Sequence, residues 1–277
     1  MFCNPRRNIN LPSWLFNVED PHDAGMRYSL GRDYVKFSAS GSKVADVLAN
    51  LKDISILDFK ITRIGTLSRL APVSVDEVLQ ENLDQQREHE FSVGFRFTPL
   101  HVFEMMHTIW RTAVDAEDRV TIADGPGLER LLRAFMCDIA PDGQRLPVTI
   151  GELELENFKS LIDGSKEVTE QFADDIHEYF RPTLMRVFGM RFCVYSTPVG
   201  NDIEDDAPLS SLLCWTPKEV EVGDLLAVIH GFSLPMLMRE VAGLDRYRFL
   251  GICYIHDFMD GGALERGDFN TEYVTVC

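Results

Sequence analysis

A chain of 277 residues can bury a substantial core in one large domain or two small ones, so size alone demands neither disulfides nor a structural metal. Its 27 Lys and Arg face 44 Asp and Glu, a formal charge of -17; the average surface repels phosphate backbones and anionic membranes, and nucleic acid is not an expected partner. The six cysteines (Cys3, Cys137, Cys193, Cys214, Cys253 and Cys277) are scattered, without a C-x-x-C or a short His/Cys cluster. That spacing argues against structural zinc and for a reducing, cytoplasmic location. The opening "MFCNPRRNINLPSW" has no continuous apolar region, and no later segment approaches about 18 uninterrupted apolar residues, so no membrane insertion is expected.

Strand patterns come first along the chain. "DYVKFSAS" alternates apolar with small or polar residues, and "ISILDFKITRIGTL" places Ile54, Ile56, Phe59 and Ile61 close to period two; both predict strands within an N-terminal segment, residues 1–73. From 74 to 189 the spacing predicts a helical insert. "SVDEVLQENLDQQREHE" opens with serine and acidic residues, and "HVFEMMHTIWRTAVDAED" sets Val102, Met105, Met106, Ile109 and Ala113 on one stripe. Three further helices are predicted in "GLERLLRAFMCDIA", "TIGELELENFKSLIDG" and "KEVTEQFADDIHEYF", the last expected to stop or kink at Pro182.

Residues 190–277 return to short strands: "RFCVYST", "GDLLAVIHG", "LPMLMRE" and "RYRFLGICYIH". The links "GFS" and "VAGLD" suit an antiparallel meander. The acidic stretch "PVGNDIEDDAPLSS" reads as a loop. Strands at both ends of a helical middle predict one α+β domain, a small antiparallel barrel or sheet carrying a helical insert.

Several of these residues resemble a known family. "YRFLGICYIHDFMDGGAL" is similar to the closing motif of fungal heterokaryon-incompatibility (HET) proteins. "LPSW" at 11–14, "FSASG" at 37–41, "IWRT" at 109–112, "GMRF" at 189–192 and "VGD" at 222–224 resemble further motifs of that family in the expected order. The resemblance spans almost the whole chain and implies a freestanding C-terminal region without the HET effector domain. Three positions depart from the family pattern: Cys214 and Trp215 stand where leucine and glycine are usual, Asp257 where glycine is common, and Gly262 where glutamate is usual.

The chemistry must then be sought in "FLGICYIHDFMDGGALERGDF", residues 249–269. Adjacent residues on a strand point to opposite faces, so His256 and Asp257 do not converge on a metal without a bulge. The stretch lacks the order of a phosphate loop, and its aspartates repel phosphate. A strand end and turn, with His256 bonded to backbone or carboxylate, fits better. No G-x-S-x-G or G-x-G-x-x-G occurs, and no cysteine has a marked histidine partner, so no cofactor and no metal is expected. Arg111 pairs most simply with Asp115 at i,i+4.

Two functions are weighed, and the sequence favours the first as an enzyme, with the second as its alternative. The first is a cofactor-free cyclase or isomerase of fungal secondary metabolism, of Diels–Alder type, folding a small apolar substrate. Preorganisation can be worth up to about 7–11 kcal/mol, and one donor to a carbonyl on the order of 2–4 kcal/mol. Tyr254, His256 and Trp215 are the candidate catalytic donors, with Arg191, Trp110, Arg111 and Asp257 as substrate-binding candidates. The second is a non-catalytic module that binds a protein partner, with the acidic 201–206 segment as a contact surface.

Overall fold

The computed structural model describes residues 37–43, 46–49, 56–71, 74, 107–108, 110–111, 126–163, 174, 178–183, 186–187, 190–196, 213–265, 267 and 269–277. "LPSW", the helix expected after Ser74, most of the helices expected over 101–118 and 166–180, and the 201–206 segment lie outside them. The chain is a mixed α+β protein built on one large, mostly antiparallel sheet.

Its axis is β2 (Leu57–Leu70), the long strand that period two foretold. β1 (Val47–Ala49) pairs with its start. β3 (Met190–Ser196) pairs with its end, and β4 (Leu213–Pro217) extends the sheet from β3. β5 (Leu225–Ile229), β6 (Met236–Glu240) and β7 (Tyr247–Ile252) form the expected antiparallel meander. β8 (Tyr254–Ile255) pairs with β4, and β9 (Thr271–Val276) with β2. β5 also pairs with β2, and β9 meets β7 at a parallel bridge between Val276 and Tyr247. Following the pairs β2, β5, β6, β7 and β9 therefore leads back to β2.

Two apolar clusters form on this scaffold. On β3 and β4, Phe192, Val194, Leu213 and Trp215 face the first, while Cys193, Tyr195 and Cys214 face the second. Strand alternation thus buries both faces and explains why β4 is buried throughout. In β2, Phe59 and Ile61 join the first cluster, whereas Ile64 and Leu67 join the second. Ile64, three residues after Ile61, takes the opposite face by alternation, and the extra residue between Arg63 and Gly65 carries Leu67 to that face as well.

Helices cover the first cluster. α1 (Pro126–Phe135) begins with proline, whose missing N–H costs nothing there, and buries Leu128, Leu131, Leu132 and Phe135 at helical spacing. α2 (Glu152–Asp163) contributes Phe158, Leu161 and Ile162. The Phe135 ring lies 5.3–6.5 Å from those of Phe158, Phe180, Phe192 and Trp215, which ties helices to sheet.

Four expectations need correction. Residues 37–40 are not strand but coil and turn, because Ser38 bonds Met259 and Gly41 takes φ 55°. The run expected as one strand over 246–256 breaks at Cys253, whose N–H turns to the Pro235 carbonyl, into β7 and β8. Pro182 does not end its helix: residues 178–183 are helical through it. β4 and β9 are strands that the pattern reading did not assign. Among the described residues no helix is long and apolar enough to cross a membrane.

Candidate functional site

Four of the candidate residues, Tyr254, His256, Trp215 and Asp257, gather against α1. Cys137 and Asp138 both adopt φ 52°, a left-handed conformation that costs non-glycine residues about 1–3 kcal/mol each and persists only where the surroundings enforce it. Here the Asp138 N–H donates to the Arg133 carbonyl (2.7 Å), and its carbonyl accepts from Leu146 N–H (2.9 Å). The buried Asp138 carboxylate is held by Arg133 Nη1 and Arg145 Nε, each at 2.7 Å.

Trp215 closes the same helix end. Its Nε1–H donates to the carbonyls of Ala134 (3.1 Å), which also accepts from Cys137 N–H (3.3 Å), and Phe135 (3.2 Å), at a helix end whose last carbonyls lack intrahelical partners. The β4–β8 register places Trp215 opposite Tyr254. Both side chains are fully buried.

Burial, reinforced by Asp138 and Cys137, pushes the Tyr254 phenol well above its usual range, so it keeps its proton. A buried hydroxyl must donate that proton, and among the described residues its hydrogen-bond partner is His256 Nδ1, at 3.1 Å. His256 therefore accepts at Nδ1 and carries its own proton on Nε2. Burial holds its pKa below the usual 6.5; Asp138 and Asp257 oppose the shift, Arg133 and Arg130 assist it. The imidazole is neutral near pH 7.

The motif after His256 is a 3₁₀ turn (His256–Phe258), which explains why His256 and Asp257 diverge. Asp257 accepts from Arg130 Nη2 of α1 at 2.5 Å. Asp260 takes both Nη groups of Arg145 (3.1 and 2.8 Å), whose guanidinium lies 4.7 Å from the Phe37 ring centre. The expected strand end and turn is present, but His256 bonds a tyrosine hydroxyl rather than backbone or carboxylate.

At Gly262 a Cβ would lie 2.2 Å from the Asp257 carbonyl oxygen, so this turn leaves no room for a side chain there. Gly261, at φ 92°, faces Gly41, and a Cβ there would lie 3.3 Å from the Gly41 Cα. With Ser38 N–H donating to the Met259 carbonyl (2.8 Å), the turn anchors the 37–41 segment as well as α1.

Tyr254, His256, Trp215 and Asp257 thus gather at one place; the other candidates do not. Phe192 and Trp215 face the first cluster, so Arg191, next to Phe192 on β3, lies on the other side of the sheet from Trp215. Trp110 is buried in the first cluster and Arg111 is exposed; neither has a described hydrogen bond or ring contact to Tyr254 or His256. Asp115, the partner expected for Arg111, lies outside the described residues.

The pattern reading missed Arg130, Arg133, Asp138 and Arg145, and considered Asp260 only as a metal ligand. Only the i,i+4 spacing of Glu129 and Arg133, which do pair (2.8 Å), was legible. Among the described residues no group of three or more His, Cys, Asp or Glu is placed to hold a metal ion. A cleft of about 380 Å³ is lined by Asp174, Glu178, Arg181 and Pro182, none of them a candidate. No protein-family model matches the chain, and no curated protein or solved structure matches it either.

Proposed function

We propose that this chain is a non-catalytic, cytoplasmic protein-interaction and regulatory module, related to the C-terminal region of HET proteins. The strand circuit through β2, β5, β6, β7 and β9 is, in this reading, a small closed barrel. One observation carries the functional proposal: the polar atoms of Trp215 and Tyr254 are spent inside the fold, on the end of α1 and on His256. Donors committed in this way fix a scaffold and leave nothing for a substrate carbonyl. The partner-facing surface is the acidic 201–206 segment, whose carboxylates select a basic partner.

A second reading, the cofactor-free cyclase, draws support from His256 alone. A neutral imidazole backed by a buried tyrosine presents an Nε2–H donor beside a strained Cys137–Asp138 backbone, a combination met at functional sites.

One experiment separates the two. The purified protein is incubated, without metal or nucleotide, with apolar diene-aldehydes and diene-acids, and products are followed by mass spectrometry. The module reading expects no conversion. It also expects partner capture from the source cells to fall when Asp202, Glu204, Asp205 and Asp206 are neutralised. Conversion to an isomer of unchanged mass, abolished by His256→Gln, would overturn it in favour of the cyclase.

A further inference from the structure

A second polar cluster lies on the sheet, apart from the Tyr254 site and independent of the functional reading above. The β2–β9 register sets Lys60 opposite Tyr273 and Thr62 opposite Thr271, all on the face away from Phe59 and Ile61. His230 follows β5 in the turn closed by Phe232 N–H on the Ile229 carbonyl, with Gly231 at φ 87°, and its own N–H donates to the Lys60 carbonyl (3.0 Å). The 37–43 segment crosses beside this turn, bonded through Ala39 N–H to the Ser233 carbonyl and Ser40 N–H to the Phe232 carbonyl. Lys60 N–H donates to the Asp46 carbonyl (3.1 Å), so Lys43 lies in the chain between a contact to this turn at Ser40 and a contact to β2 at Asp46.

The polar groups are unevenly matched. His230 Nε2 bonds the Thr62 hydroxyl (3.0 Å), which bonds the exposed Thr271 hydroxyl (3.0 Å). Nδ1 of His230 has no hydrogen-bond partner among the described residues and is open to solvent, in a residue 6% exposed. Lys43 is exposed and has no carboxylate partner among the described residues, in a chain with an acidic excess of 17. The nearby carboxylates are partly occupied. Asp46 accepts from the Tyr273 hydroxyl (2.7 Å) and stands 3.7 Å from Lys60 Nζ, and Asp58 accepts from Thr275 (2.7 Å). Burial, then Lys60 and Lys43, hold the His230 pKa low, with Asp46 opposing.

Three basic groups and a hydroxyl pair therefore gather on one side of the sheet, with Asp46 beside Lys60 and Asp58 already bonded to Thr275. We propose that His230, Lys43 and Lys60 form a binding site for an oxyanion, the phosphate monoester or carboxylate group of a small ligand. His230 Nδ1 and Lys43 Nζ donate to the anion, while Thr62 and Thr271 fix the ring. An anion beside the imidazole offsets the repulsion of the two lysines, so binding is accompanied by proton uptake at His230 and strengthens as pH falls.

The test is a histidine-ring ¹H–¹⁵N NMR titration of the whole chain near neutral pH at fixed ionic strength, with inorganic phosphate in one arm and acetate in the other. The expected result is a saturable shift of the His230 ring nitrogens toward imidazolium values. Phosphate alone, acetate alone or both identify the anion class that the site accepts. Lys43→Gln, an exposed substitution with the circular dichroism unchanged, is expected to weaken binding by about fivefold, the scale of a partly exposed charge contact. The absence of a saturable shift with either anion, an equal shift with chloride, or undiminished binding in Lys43→Gln would overturn the proposal.

Discussion

Replacing Trp215 with phenylalanine keeps an aromatic ring against Phe135 and Phe192 (5.7 and 4.7 Å between ring centres) but removes the Nε1–H. The buried Phe135 carbonyl then loses its donor, while the Ala134 carbonyl keeps the Cys137 N–H (3.3 Å), at a cost of about 1–3 kcal/mol. The smaller ring also leaves roughly 40 Å³ unfilled, which at about 24 cal/mol per Å³ adds about 1 kcal/mol. The expected destabilisation is thus about 2–4 kcal/mol. Urea unfolding followed by far-ultraviolet circular dichroism measures it without relying on the fluorescence of the residue removed. The denaturation midpoint should fall with the slope unchanged. A loss of about 1 kcal/mol or less, the void contribution alone, would show that the indole N–H does not cap α1 and would refute the reasoning.

Gly262→Glu should cost at least about 2 kcal/mol, because the Cβ meets a backbone oxygen at 2.2 Å that cannot swing aside; thermal unfolding of the variant checks this. Asp138→Asn leaves Arg133 and Arg145 without the buried charge that joins them, and a loss of about 3 kcal/mol is expected by chemical denaturation, reduced by the partial exposure of Arg145. His256 and His230 both titrate below their unfolded value of about 6.5, so the unfolded chain takes up protons first as pH falls. Their contribution to stability is present above about pH 6.5 and lost below it; the urea midpoint should drop between about pH 7.5 and 5.5, and less steeply in His256→Gln.

Local pattern carried much of the fold. Period two marked β2, helical spacing marked α1 and α2, and short Gly-bearing links marked the β5–β6–β7 meander. What escaped depends on distant partners. β9 earns its place by pairing with β2, more than 200 residues earlier, and the break at Cys253 follows a bond to Pro235 on another strand. Pro182 continues a helix despite its missing N–H, and spacing alone does not reveal that. The site was legible as residues but not as roles. Tyr254, His256 and Trp215 do gather, yet the direction of each polar atom is set by groups as far away in the chain as Ala134, some 80 residues from Trp215. Gly262 was visible in the sequence only as a glycine, and the close approach to Asp257 supplies its physical reason.

The central claim is that the donors of the Tyr254–Trp215 cluster face inward. Hydrogen exchange of the Trp215 indole N–H, read by ¹⁵N NMR in the intact chain, tests it most directly. Protection by about 10³-fold or more over a free indole, with no shift on adding apolar carbonyl compounds, is the expected result. Exchange near the free rate, or a saturable shift with such a compound, would place that donor in a ligand pocket and contradict the account.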